Sequence, residues 1–261
     1  MEQQMADKHG DEIGSHIDSQ IAINYQQITK SYGKQQVLKG VSLQVKKGEF
    51  LGLVGANGAG KTTMIKSLLD FIAPDSGSIH IAQKDNKDPL AREQLAFLPE
   101  RFNPPYFFKG KDFLKFTGKI HGIEFDQQIV SSLCNNLDLA EDALKKPVKS
   151  YSKGMAQKLG LMGCFLAQKP VIILDEPMSG LDPKARAFLK KQIRSLKESN
   201  TTLFFSTHML ADVDAICDRM AILDQGVIKF IGTTDECRER FGSDDLEQAY
   251  LNCITSVTDN R

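Results

Sequence analysis

The spacing of hydrophobic and polar positions changes along the chain, and the changes predict its elements. Between Ile21 and Phe50 short runs alternate, as in IAINY and VSLQV, with YGKQQ and KKG between them. This predicts an antiparallel β-layer with tight turns. FLGLV (50–54), VIIL (171–174) and TLFF (202–205) are instead continuously apolar, as strands of a parallel sheet covered on both faces must be. After GANGAGKTT the period becomes helical: Met64, Ile65, Leu68, Leu69 and Ile72 share one face, and Pro74 marks the stop. From about 100 to 165 no strand pattern occurs, while KDFLKFTGKI and QIVSSLCNNLDL predict a helical insert. RMAILDQGVIKFIG predicts a hairpin around Asp224–Gly226, and DLEQAYLNCI a last short helix. Residues 1–19 are polar and aperiodic and read as a mobile tail. The expected organisation is a tail (1–19), one α/β domain (20–240) with the insert at about 100–165, and a C-terminal helix and tail (241–261).

Composition narrows the function without naming it. The 261 residues suffice for a proper core, and the 41% hydrophobic and 25% charged fractions are those of a soluble globular protein. Thirty-three basic residues balance thirty-three acidic ones, so no global field favours nucleic acid or anionic membrane. Five scattered cysteines with no CxxC spacing argue against a disulfide framework or zinc site and fit a reducing cytoplasm. No apolar run approaches membrane-spanning length and no signal peptide is expected, so a membrane role would come through a partner.

The strongest chemical signal is GANGAGKT, residues 55–62, which matches G-x-x-x-x-G-K-[ST] between a buried strand and a helix. Gly55, Gly58 and Gly60 let the backbone curl around Ala56, Asn57 and Ala59 so that N–H groups face phosphate oxygens. Lys61 can reach the terminal phosphates, and Thr62 has a hydroxyl placed for Mg²⁺. The fold class implied is an α/β P-loop NTPase core with a mainly parallel sheet, an antiparallel β-subdomain and a helical insert subdomain. VIILDEP puts Asp175 and Glu176 at the carboxyl end of a buried strand, where an open α/β sheet faces its ligand. Asp175 suits the metal and Glu176 suits a general base for water; read alone, DEP is also ordinary turn chemistry. His208 ends the next strand in FFSTH, within reach of a γ-phosphate if both strands end on one edge.

The order GANGAGKTT, LPE, YSKGMAQK, VIILDEP, SGLD, STH resembles the ATP-binding subunit of ABC (ATP-binding cassette) transporters, over roughly Ile21 to Gly232. The resemblance implies that Tyr32 stacks on adenine and that residues 55–63, through Thr63, form the Walker A loop. It implies that Ser152 and Gly154 of YSKGM contact a partner's γ-phosphate, that Ser179–Asp182 form the D-loop, and that His208 is the switch histidine. ATP and Mg²⁺ are the implied ligands. The implied partners are a second ATP-binding subunit, most simply in a homodimer, and an integral membrane permease at the cytoplasmic face of the membrane. No nucleic acid and no direct membrane insertion are expected.

Three positions depart from the family pattern. Glu100 replaces the usual Gln, and it either binds the metal or faces the membrane partner. Lys153 and Met155 replace Gly and Gln in the signature. LPE, YSKGM and SGLDP together are most similar to the group serving ABC-2 type exporter permeases. After Glu100, RFNPPYFFKGKDFL carries Tyr106, Phe107 and Phe108, which either pack on the insert or offer an apolar face to a coupling helix. Two other readings remain. One is a non-transport cassette acting on ribosomes or DNA, disfavoured by a single cassette, no heptad run and zero net charge. The other is an unrelated P-loop kinase or GTPase, disfavoured by the lack of NKxD.

Overall fold

The computed structural model describes residues 18–256. The tail expectation for 1–17, and the last five residues of the C-terminal one, lie outside these. The chain begins with two long strands, β1 (Ile21–Tyr32) and β2 (Gln35–Lys46), paired antiparallel. β3 (Phe50–Val54) then enters a second sheet, and α1 (Lys61–Leu68) follows its loop. The chain returns to the first sheet with β4 (Ser76–Ile81) and β5 (Lys84–Asp85), whose order is β2-β1-β4-β5. A single turn, α2 (Pro89–Arg92), leads to β6 (Leu95–Leu98). The expected antiparallel layer is therefore present but larger, because the patterning assigned no strands to 76–98. β4 carries only Ile79 and Ile81 as buried apolar residues, and β6 is four residues long.

The insert holds α3 (Gly110–Ile120), α4 (Gln127–Asn136) and the first turns of α5 (Lys153–Leu166). The core resumes with β7 (Val171–Asp175), α6 (Pro183–Ser195), β8 (Thr202–Thr207) and α7 (Leu210–Ile216). The hairpin β9 (Arg219–Asp224) and β10 (Val227–Gly232) is the one expected, and α8 (Thr234–Phe241) and α9 (Leu246–Thr255) follow. The second sheet has the order β10-β9-β3-β8-β7-β6, parallel except for β10.

Period-two alternation explains how this sheet divides the interior. Phe50, Val54, Ile172, Leu174, Leu203 and Phe205 point into a core shared with the helices. Leu51, Leu53, Val171, Ile173 and Phe204 point the other way, into a core shared with α1 and the antiparallel layer. Both faces are covered, hence the continuous apolar runs.

One expected boundary is corrected. The helix after the P-loop stops at Leu68, well before Pro74. Asp70 adopts a left-handed conformation (φ 59°). The Phe71 N–H donates to Lys66 C=O (2.9 Å) and the Asp70 N–H to Ser67 C=O (3.2 Å). This is a Schellman stop with Asp where Gly is usual, so the sequence carried no glycine to announce it.

Candidate nucleotide site at the sheet edge

Strand register brings the chemical residues together. Val54 pairs with Thr207, and Asp175 pairs with Ser206. Gly55, Glu176 and His208 therefore all leave the same sheet edge at adjacent positions. Glu176 and His208 line a cavity of about 610 Å³ together with Ala56, Asn57, Gly58 and Gly60–Thr63 of the P-loop, Glu100 and Ser179, whereas Gly55 and Ala59 do not face it.

The P-loop glycines have distinct duties. Gly58 (φ 86°) has open space where a side chain would sit, so its backbone presents a bare cradle. Gly60 (φ 113°) has none, because an added Cβ would lie 2.9 Å from Leu38. Lys61 is buried and turned back on the loop. Its Nζ donates to Gly55 C=O (2.7 Å) and Ala56 C=O (3.3 Å) and lies 3.4 Å from Glu176 Oε1.

Glu176 is held on its other oxygen by His208, whose Nδ1 lies 2.9 Å from Oε2. A carboxylate only accepts, so Nδ1 carries the proton of this contact. The Glu176 backbone is left-handed (φ 48°), anchored by its N–H to Ser206 Oγ at 3.0 Å. The Ser206 hydroxyl donates in turn to Asp175 Oδ1. Ser206 thus anchors the Glu176 backbone and orients the Asp175 carboxylate. The sequence reading missed it, although a serine within an otherwise apolar buried strand was the available signal.

Not every expected residue reaches the cavity. Asp175 is buried beneath it, bonded to Ser206. Tyr32 ends β1 half exposed, its ring 5.8 Å from Lys30 Nζ, whereas Gln35 and Val37 line the cavity beside it. The Asp182 carboxylate caps α6, accepting from the Ala185 N–H at 2.9 Å. Ser152 and Gly154 lie elsewhere, at the start of α5, where Ser152 Oγ accepts from the Met155 N–H (3.2 Å). Lys153 reaches Ser179 Oγ at 3.3 Å, and its methylenes pack where a Gly180 Cβ would sit.

Glu100 is exposed and lines two cavities, the one at the P-loop and a wider one of about 870 Å³. That second cavity runs along Arg101–Tyr106 to Ser152 and Lys153. Tyr106 and Phe107 are 73% and 70% exposed, while Phe108 is partly buried against the helical core. Of the three aromatics, one thus packs on the insert and two are exposed. Among the described residues, no helix is long and apolar enough to cross a membrane.

The chain compares closely with known proteins. Residues 38–179 match the family described as ABC transporter. The chain is 39% identical over 206 residues to an uncharacterised ABC transporter ATP-binding protein of Synechocystis sp., covering 78% of this chain and 58% of that protein. It thus spans about three fifths of that relative's length. It is 32% identical over 230 residues to a daunorubicin resistance ATP-binding protein of Streptomyces coeruleorubidus, covering 87% of this chain and 72% of that one. A solved structure described as the ATP-binding subunit of an ABC transporter superposes with a TM-score of 0.82 at 30% identity, covering 90% of this chain and all of that one. From the P-loop to the buried acidic strand and the covered parallel sheet, the chain belongs to the ABC transporter family and has the fold of its ATP-binding subunits.

Proposed function

We propose that this protein binds and hydrolyses ATP to power a separate membrane permease of the exporter kind. The observation that carries the reading is the Glu176 carboxylate, held between Lys61 and His208 at the mouth of the P-loop cavity. Lys61 is positioned to move onto terminal phosphates. Glu176 is then free to accept a proton from water, with His208 keeping its carboxylate aimed. Thr62 would hold Mg²⁺ directly and Asp175, from beneath the cavity, through water, with Glu100 at the rim as a further oxygen donor. When bound, Mg²⁺ supplies charge neutralisation at the β- and γ-phosphates. The bare backbone at Gly58 and the lack of a hydrogen bond to buried Glu176 Oε1 support the fit.

Ser152 and Gly154 would complete the partner's site in a head-to-tail dimer, since they do not line their own chain's cavity. The exporter assignment is supported by the daunorubicin resistance relative. On this reading the protein works at the cytoplasmic face of a membrane, held there by its permease. Two experiments test this reading. Glu176→Gln should bind ATP and fail to hydrolyse it. The wild type should co-purify with an integral membrane protein; co-purification with ribosomes instead would sink the transport reading.

A further inference from the structure

The charges of the chain balance overall, yet one surface of the insert is one-sided. Between residues 101 and 120 stand Arg101, Lys109, Lys111, Lys115 and Lys119, against the single carboxylate of Asp112. The same stretch carries a continuous apolar stripe. Ring centroids lie 5.6 Å apart for Tyr106–Phe107, 4.8 Å for Phe107–Phe108 and 5.5 Å for Phe108–Phe116. Ile120 follows Phe116 one turn along α3 and extends the stripe. Phe108 is its partly buried anchor, while Phe116 and Ile120 are exposed like the two outward rings of the loop.

Cations border the stripe at both ends. Lys119 stands exposed beside Ile120. At the other end Lys109 bridges to Pro147, and the Val148 N–H donates to Phe108 C=O (2.9 Å), which brings exposed Lys146 and Lys149 alongside. Asp142 of that neighbouring turn is already paired with Lys145 at 2.7 Å. Lys111 and Lys115 are instead engaged with the Phe125 ring. Exposed rings with lysines beside them match a surface that is apolar at one depth and anionic at the next. The shape points the same way. Of the four exposed apolar residues only Tyr106 lines the cavity of about 870 Å³, so Phe107, Phe116 and Ile120 stand outside it on the convex face of α3 and its loop. A partner helix needs a groove to bury its side chains, whereas a bilayer interface needs none.

We infer that the outward face of α3 and the loop before it seat on an anionic lipid surface. Phe107, Phe116 and Ile120 enter the headgroup layer, and Lys109, Lys119, Lys146 and Lys149 meet lipid phosphates. The contact is peripheral, and no segment crosses the bilayer. The inference goes beyond the permease reading and rests only on its placing the chain beside a membrane. A chain held through a permease alone leaves the membrane when the permease is removed, and one with this face does not. Rings and lysines are each a weak hold, so the loss of either is measurable.

The test sediments the full chain, without permease, with vesicles of phosphatidylcholine alone or mixed with phosphatidylglycerol. Wild type should bind the mixed vesicles, less so at high salt, and should not sediment with neutral ones. Lys109→Gln and Lys119→Gln should each weaken partitioning about 5-fold, the worth of one basic residue at an anionic surface. Phe116→Ser combined with Ile120→Ser should weaken it by about 10-fold or more and leave the salt dependence in place. Both side chains are exposed, so the melting midpoint should stay at the wild-type value. Wild type that binds neither vesicle, or variants that bind as wild type does, would overturn the lipid contact. If such variants also failed to co-purify with the membrane protein, the face would belong to a protein partner instead. Wild type that binds mixed vesicles but co-purifies with no membrane protein would sink the permease reading alone, which separates the two failures.

Discussion

The sheet edge and the start of α5 both have a part in the proposed chemistry, yet they are built in opposite ways. At the edge, the side chains are already engaged with one another. Lys61, Glu176, His208, Ser206 and Asp175 form a continuous chain of contacts on strands fixed by ladder pairing. At α5, Ser152 caps its own helix and Lys153 leans on Ser179, while the helix N-terminus faces outward with its free N–H groups. The first region is preassembled by its own fold. On the proposed reading the second is half of a site, whose donors would acquire work only when a second subunit brings phosphate to them.

Perturbations should separate the two regions. The largest effect is expected at the preassembled edge: Glu176→Gln should cut ATP turnover by about 10²- to 10⁴-fold, the worth of a general base. Its ATP affinity should stay near wild type, as seen by steady-state turnover beside a direct binding titration. A turnover rate like wild type would refute the base assignment. At the outward helix end, Gly154→Asp places a carboxylate where phosphate is expected and a Cβ 3.2 Å from Gly180 C=O. Turnover should fall by about 100-fold, on the scale of losing a phosphate-stabilising donor. ATP binding by the isolated chain should be unaffected, and weakened binding there would place Gly154 in its own chain's site.

Further from the chemistry, Phe107→Ala removes an exposed ring on the loop that follows Glu100. It should spare ATP binding and reduce substrate transport in reconstituted vesicles; unchanged transport would end the coupling role. The smallest effect is expected from Lys153→Gly, which removes an exposed contact to Ser179. A change in turnover of less than about 5-fold is expected from the modest worth of an exposed polar contact. A loss as large as that of Gly154→Asp would show that Lys153, too, works on phosphate.

What could be read from the sequence was whatever the chain states locally. GANGAGKT, VIILDEP and the unbroken apolar runs each carry their meaning within eight residues, and the structure gathers them on one edge. Features that depend on distant partners were silent. Ser206 matters through a backbone N–H and a carboxylate 30 and 31 residues away. The stop of α1 at Asp70 was hidden because the left-handed residue is not glycine. Asp182 illustrates a different limit: motif order implied a ligand contact, while the local geometry gives its carboxylate to the first turn of α6.

Glu176 is the base of the proposed chemistry and also a non-glycine residue at φ 48°, immediately before Pro177. Left-handed backbone at such a residue costs on the order of 1–3 kcal/mol. The domain therefore sacrifices some thermal resilience to keep this carboxylate at the mouth of its cavity. Screens that reward stability alone will tend to select glycine at this position, and each such variant would be a sturdier protein that no longer turns over its fuel.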